Sequence, residues 1–250
     1  VEAEVEVERL GGSLIFDLIL EGVRVRPKGS EEPIVQFQRG EMGYNPLKLL
    51  GDQKEIEYIE VWSPVINLSR KGGKWNFQAL FPPKHASPGN PQKGDDPLSI
   101  KHIAIVGGEL NVRGVDYFNA LRGVNLFGSL SVEGTEVRVE VKGGTGELPG
   151  GVRAREVTGR LNIRDGAVSL ENVHLLTKSS SLFLNGTIAD SLAIELSESE
   201  LSLTELDRYL SLGGLLEGRA EGTVRLTKKE TDLYVVGKVA VPEGRFGEYE

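Results

Sequence analysis

The stretch EVRVEVK, residues 136–142, decides the class of fold. Its three valines, Val137, Val139 and Val141, fall on one side of an extended chain, and the charged residues between them fall on the other. A period of two predicts a strand with one buried face. The same pattern recurs along the chain in AEVEV (3–7, with Val5 and Val7), GVRVRP (22–27), GELNV (108–112), GRLNI (159–163), GAVSLENV (166–173) and GTVRL (222–226).

Turn signals separate these strands. Glycine accounts for 32 of 250 residues, an excess that fits many tight turns, and KGG, VGG, DGA and NGT recur about every 8–12 residues. Asp165-Gly166 favours a type I′ hairpin turn, because both central residues of that turn need a positive φ. The pattern predicts an all-β antiparallel meander, and stacked hairpins of this kind form an elongated sheet.

Helical patterns are few and short. Residues 45–51 have an Asn cap, Pro at the first helical position and a closing glycine, and 115–123 form a weaker candidate. The best candidate covers about 203–212, where Ser202 and Glu205 match a capping box. We therefore expect a few short helices between many strands.

One segment without periodicity divides the chain. Residues 82–97, PPKHASPGNPQKGDDP, are rich in proline, glycine and charge, which predicts a flexible loop or linker between 1–81 and 98–250. Hairpins with a glycine turn are predicted at 100–112, 157–170 and 218–241. Both ends of the chain read as cuts through a longer protein.

Composition excludes several classes of function. The chain has no cysteine, three scattered histidines and a net charge of −8, which argues against a thiol metal site and against a dedicated nucleic-acid binder. No apolar run is long enough for a spanning helix. We find no catalytic motif and expect no enzyme, no cofactor and no metal. Asp95-Asp96 and Asp207-Arg208 are interpreted as surface charge.

Both tryptophans lie in WSPVINLSRKGGKWNF, residues 62–77. Pro64 cannot donate to a strand ladder, so we place it at a strand start or an edge. A strand, a KGGK turn and a returning strand would put Trp75 and Phe77 on one face. They are either cross-strand packing anchors or residues that line the mouth of an apolar groove.

The same stretch carries a resemblance. SPVINLSRKGGKWNFQAL resembles the AsmA/TamB group of Gram-negative envelope proteins in its P-V-x-x-L-x-R-x-x-G-x-W-N-F order, through Pro64, Arg70, Gly73, Trp75, Asn76 and Phe77. Residues 22–61, 97–114, 159–190 and 199–210 are similar to the same group in their hydrophobic and glycine positions. The repeat after residue 157 leans toward the TamB type, and the choice between an AsmA-type and a TamB-type parent stays open.

The resemblance implies a long, strongly curved β-groove with an apolar inner face. In that group such a groove is linked to phospholipid movement between the inner and outer membranes, and in TamB also to outer-membrane protein assembly. It implies a periplasmic protein anchored to the inner membrane by an upstream segment. Its partners would be phospholipid and an outer-membrane barrel protein of the insertase family, with no nucleic acid.

Alternation within each strand nominates the residues of the inner face. The candidates for lipid contact are Val137, Val139, Val141, Leu161, Ile163, Val168, Leu170, Val173, Leu175, Leu182, Leu184, Ile188, Leu201, Leu203, Val224 and Leu226. Charged residues are scarce at these positions, which suits hydrocarbon tails. The alternation leaves open whether the face holds ligand or seals itself as a core.

Three hypotheses follow from the sequence. The favoured one is a lipid-conducting periplasmic groove. The alternative is a scaffold for outer-membrane protein translocation and assembly, which binds clients by pairing with a free strand edge. The third, an enzyme acting on polysaccharide, would need clustered carboxylates and exposed aromatics, and neither pattern is present.

Overall fold

A computed structural model describes residues 3–13, 15–50, 53–72, 74–79, 97–114, 119–134, 136–164, 167–189, 191–229 and 232–247. Strands make up most of these residues, with 17 strands and two α-helices, and the predicted all-β class is confirmed. Contacts divide the chain into two compact units, Val1–Asn125 with Ser129–Gly134, and Leu126–Gly128 with Thr135–Glu250.

The first unit is a mixed sheet. Its strands are β1 Ala3–Glu6, β2 Arg9–Ser13, β3 Asp17–Pro27, β4 Val35–Tyr44, β5 Lys54–Trp62, β6 Val65–Lys71, β7 Lys74–Trp75 and β8 Leu98–Arg113, while β9 Ala120–Glu133 contributes residues to both units. Strands β1 to β5 pair antiparallel, but β8 runs parallel to both β5 and β6. The antiparallel meander predicted for this part is therefore wrong at β8.

Strands β5 and β6 lie end to end between β4 and β8. Both halves pair with β4 on one side and β8 on the other, and Ser63 and Pro64 interrupt them. The interruption matches Gly107-Gly108 in β8, where the Ser63 amide donates to the Val106 carbonyl at 2.8 Å. The glycine pair predicted as a hairpin turn is thus an irregularity inside one long strand, placed opposite a proline that cannot donate.

The second unit is an antiparallel meander. Its strands are β10 Glu136–Leu148, β11 Val152–Ala154, β12 Glu156–Arg164, β13 Ala167–Leu176, β14 Ser181–Ile188, β15 Leu192–Ser202, β16 Leu216–Lys229 and β17 Asp232–Phe246. From β12 onward each strand pairs with the next. The hairpins predicted at 157–170 and 218–241 are present, and Asp165-Gly166 lies outside the described residues.

The helices are short, as expected. Helix α1 covers Pro46–Leu49 with the predicted Asn45 cap, and α2 covers Leu203–Leu210. The candidate at 115–123 is wrong where it is described, because Ala120 to Gly123 belong to β9. The predicted return strand after the KGGK turn is also shorter, because β7 gives way to a 3₁₀ turn at Asn76–Ala79. No described helix has the length and apolar character to cross a membrane.

The predicted linker at 82–97 lies outside the described residues except for Pro97. The boundary between the two compact units lies later in the chain than the predicted linker, at residues 125–135. Strand β8 belongs with the first unit because it pairs with β5 and β6 along most of its length. Local alternation cannot reveal such a long-range parallel pairing.

Candidate functional site

In the second unit the strand registers collect apolar residues of seven strands, β10 and β12–β17, on one side. This side is called the aliphatic face. Its outermost row, in paired order, is Val137, Ile163, Val168, Ile188, Leu192 and Lys228. The next row is Val139, Leu161, Leu170, Gly186, Ile194, Leu226 and Val235. A third includes Val173, Leu184, Leu196, Val224 and Gly237.

Every predicted groove residue except Leu203 lies in a strand on this face. Leu203 is instead the first residue of α2, because Ser202 caps a helix there and ends the alternation. The leucine still points toward the sheet, since its Cδ1 lies 3.7 Å from where a Cβ would stand at Gly244. The sequence reasoning missed Leu192, Ile194 and Leu196, although SLAIEL alternates and could have revealed them.

On the aliphatic face of β10 and β12–β16, the most buried residues lie away from the outermost row. Ile163 and Ile188 in the outermost row remain 36% and 39% exposed, whereas Val141 and Ala220 are 6% and 8% exposed. Among the described residues no large side chain is less than 2% exposed. A close-packed sandwich core would bury such rows almost completely. The face is therefore a half-exposed apolar layer.

The opposite face of the same strands is polar. Cross-strand ion pairs include Arg225 with Glu195 at 2.6 Å and Arg219 with Glu200 at 3.3 Å. All four side chains are more than a third exposed, so these pairs contribute little to folding stability. They do keep the polar face hydrated, so the aliphatic face is the side suited to contact with hydrocarbon.

A line of irregular residues crosses the second unit. Gly159 lies against a bulge at Asn172, whose φ is 49°, and Glu198 marks another bulge at φ 47°. A neighbouring side chain supplies the lost hydrogen bond: the Asn172 amide donates to Asn185 Oδ1 at 2.7 Å. Bulges bend strands and increase their twist. Because these bulges lie along one line across the strands, each strand can change direction while its apolar residues stay on the aliphatic face.

Helix α2 packs at the end of the sheet opposite the outermost row. Its Ser202 cap accepts the Glu205 amide at 3.3 Å, which is half of the predicted capping box. The Glu205 carboxylate turns elsewhere and accepts from the hydroxyls of Thr177 and Ser180, both at 2.5 Å. Both hydroxyl residues are 4% exposed. This satisfied polar network fixes α2 to β15 and to the turn before β14.

Asp207 is buried, and its interpretation as surface charge is wrong. Its carboxylate accepts the backbone amides of Gly214 at 2.8 Å, Leu215 at 2.8 Å and Leu216 at 3.1 Å. Burial acts to raise the pKa of Asp207, but these three donors outweigh it and hold the pKa below its usual range. The residue organises the loop from α2 to β16.

The tryptophan-containing stretch in the first unit is built around stacking. The Trp75 and Phe77 rings lie 6.1 Å apart, and the Arg70 guanidinium lies 5.9 Å from the Trp75 ring centroid. Both aromatic side chains are half-buried. Pro64 directly precedes β6, at a strand start as expected, and Gly73 lies outside the described residues.

The Asn76 side chain, directly after Trp75, forms hydrogen bonds with the backbone of β6. Strand β6 pairs with the chain before β4 through the Asn67 amide and the Ile34 carbonyl. Beyond that point Asn76 Nδ2 donates to the Asn67 carbonyl at 2.8 Å, and Asn76 Oδ1 accepts the Ser69 amide at 3.0 Å. The side-chain carboxamide thus replaces the peptide group of a missing neighbour strand.

Known proteins offer no match to this chain: no family model, no curated protein and no solved structure resembles it significantly. Within the described part of the chain, no three His, Asp or Glu side chains stand close enough to hold a metal ion. The aliphatic face is therefore the candidate functional site.

Proposed function

We propose that this chain is a lipid-binding β-groove that holds the acyl chains of phospholipid against its aliphatic face. One observation carries the proposal: the registers place aliphatic side chains of seven strands on one face, and that face stays half-exposed. Soluble proteins rarely leave a large apolar surface uncovered, and such surfaces mark binding sites.

The chemistry of the face favours hydrocarbon as the occupant. Each methylene group removed from water contributes about 0.8 kcal/mol, so an acyl chain gains substantially from lying along the rows. Val139, Leu161 and Leu170 offer no hydrogen-bonding group, and a sugar or a peptide would leave its polar atoms unpaired there. The proposal therefore describes a carrier, and it assigns no catalytic residue.

The cellular setting belongs to the proposal and rests on the resemblance to the AsmA/TamB group. In that setting the groove would lie in the periplasm, joined to the inner membrane by a segment outside this chain. It would conduct phospholipid between the inner and outer membranes. The repeat of strands and short helix at 159–210 is the part that leans toward the TamB type.

A second candidate is a scaffold that pairs with client strands. The described residues give β17 one register, which is with β16, and its side chains are unusually exposed on both faces. Val236 is 70% exposed and Val235 is 60% exposed. This candidate would bind a client by adding its strand to the edge of such an exposed apolar strand.

The deciding experiment is to purify the chain, extract it with organic solvent and identify lipids by mass spectrometry. A β-sandwich of similar size, purified in parallel, is the control. We expect about one phospholipid or more per chain, well above the control. Lipid at the control level would contradict the groove and favour the scaffold.

A further inference from the structure

The loop after helix α2 exposes apolar side chains. All five of its residues, 211–215, are exposed, and we call this segment the leucine loop. Phe246 in β17 lies beside it, because the Gly247 amide donates to the Leu215 carbonyl at 2.7 Å. Phe246 is 65% exposed, and the three leucines in and before the loop are 38% to 49% exposed. We call these four side chains the leucine-loop patch: Leu210, Leu212, Leu215 and Phe246.

The leucine loop is held in one conformation by internal hydrogen bonds. The buried Asp207 carboxylate accepts the backbone amides of residues 214–216. The Leu212 amide donates to the Asp207 carbonyl at 3.0 Å. Gly213 and Gly214 have φ values of 81° and 90°, a region that other residues rarely adopt. The fold therefore commits a buried carboxylate and two glycines to a loop whose leucines stay exposed, as a preformed binding surface requires.

The same hydrogen bonds suit the loop to an apolar medium. Hydrocarbon offers no partner to a backbone donor, so a segment that enters it must satisfy its donors internally. A protein interface instead carries about one hydrogen bond for every 100–200 Å² of its area. The amides of Leu212, Gly214 and Leu215 are already engaged within the chain, and the patch itself consists of hydrocarbon side chains. This chemistry favours a lipid bilayer over a protein as the partner.

The patch lies at the α2 end of the second unit. Phe246 pairs with Leu216, the first residue of β16, and shares one side of β17 with Gly244 because the two are alternate residues. Leu203 of α2 lies on that side, since its Cδ1 stands 3.7 Å from the Cβ position of Gly244. A bilayer at the leucine loop would therefore meet the second unit at the end of the sheet opposite the outermost row.

We propose that the leucine-loop patch inserts into the surface of a phospholipid bilayer and docks the α2 end of the second unit on the membrane. The inference rests on the proposed lipid-binding function for its purpose, which is to bring the aliphatic face to a source of acyl chains, whereas docking itself needs no bound lipid. Binding at a membrane surface scales with the apolar area that enters the headgroup region. Zwitterionic phosphatidylcholine is the appropriate probe, because the net charge of −8 gives no repulsion from a surface without net charge.

Flotation of the whole chain with phosphatidylcholine vesicles tests the docking. Leu212→Gln and Leu215→Gln each remove one exposed leucine of the patch. Val236→Gln is the matched control, because Val236 is an aliphatic side chain that is 70% exposed on the polar face of β17. Since the chain has no cysteine, Leu212→Cys and Thr223→Cys can each carry an environment-sensitive fluorophore at one position, and Thr223 is exposed on the polar face of β16.

We expect each leucine variant to weaken vesicle binding about tenfold, the scale of one leucine side chain withdrawn from hydrocarbon, and Val236→Gln to bind within about twofold of the unmodified chain. The fluorophore at position 212 should shift its emission to the blue on vesicles, whereas the one at 223 should not. Unchanged binding of both leucine variants, or no flotation of the unmodified chain, would overturn the inference. A dimer that Leu212→Gln dissociates would also overturn it, since a second copy of the chain would then cover the patch.

Lipid extraction of the purified chain separates this inference from the proposed function. Co-purified phospholipid without flotation would leave the groove in place and overturn the docking surface. Flotation through the patch without co-purified phospholipid would support the docking surface and contradict the groove.

Discussion

Single polar side chains in this protein take over hydrogen bonds that the strand ladder cannot make. Asn76 replaces a missing peptide group beside β6, and Asn185 accepts the amide freed by the bulge at Asn172. Ser199 Oγ accepts the Phe183 amide at 3.0 Å next to the bulge at Glu198. Buried backbone groups need partners, so these residues fix where each strand may deviate.

Asp207→Asn should lower the urea midpoint of unfolding at pH 7, because the new NH₂ group faces backbone donors in place of an acceptor. The pKa of Asp207 is lowered in the folded chain, so the stabilisation is present above its unfolded pKa of about 3.9. It disappears as the pH falls through the folded pKa. The difference between the two proteins should therefore shrink in acid.

Urea titrations at pH 7 and near pH 2.5 check this expectation. Asp232→Asn is the control, since Asp232 is exposed at the start of β17. Equal midpoints for Asp207→Asn and the unmodified chain at pH 7 would show that the three amide contacts do not stabilise the fold.

At the scale of elements, glycines allow strands to approach more closely than side chains permit. A Cβ at Gly159 would stand 2.7 Å from Val173 Cα, and one at Gly186 would stand 2.1 Å from the Ala193 carbonyl oxygen. A Cβ at Gly222 would stand 2.1 Å from the Lys238 carbonyl oxygen, and the φ of Gly222 is 152°. These glycines are therefore required within strands as well as in turns.

Gly222→Val should loosen the pairing of β17 with β16, because the valine must displace the Lys238 backbone. Hydrogen exchange should accelerate at least about tenfold in 232–247, while β12–β14 stay protected, since strands open locally before the whole chain unfolds. Thr223→Val is the matched control, because Thr223 is exposed on the polar face of the same strand. Unaltered protection of β17 would contradict this account of the glycine.

At the scale of the whole molecule, the half-exposed apolar face of the second unit limits how much apolar burial can contribute to folding stability. Exposed ion pairs add little to folding, and the core is small among the described residues, with Val23 and Ile34 the most buried at 3%. Bound lipid would cover the aliphatic face of the second unit and stabilise the folded chain by mass action.

Leu184→Asp tests whether the aliphatic face is open. On a half-exposed face the carboxylate can stay hydrated, so we expect a cooperatively folded chain that has lost its co-purified lipid. Ala193→Asp, on the exposed polar face of β15, should keep both fold and lipid. Circular dichroism and lipid mass spectrometry measure the two properties. An unfolded Leu184→Asp chain would indicate a sealed core, where an unpaired charge costs several kcal/mol.

The sequence by itself determined the all-β class, the strands of the second unit and the grouping of Val139, Leu161 and Leu170 on one face. These follow from local alternation, because neighbouring residues of a strand point to opposite sides. The caps of α1 and α2 could also be predicted from the sequence, since capping depends on residues close in sequence. The residues of the proposed lipid site were predicted from the same alternation of apolar and polar residues within each strand.

Only the tertiary structure decided the rest. The parallel pairing of β8, the use of Gly107-Gly108 as an irregularity instead of a turn, and the burial of Asp207 all depend on partners distant in sequence. The place of Phe246 beside the leucine loop likewise needs the register of β17 against β16. Alternation states which side a residue takes within its own strand, whereas pairing fixes which strands meet and which residues lie beside one another.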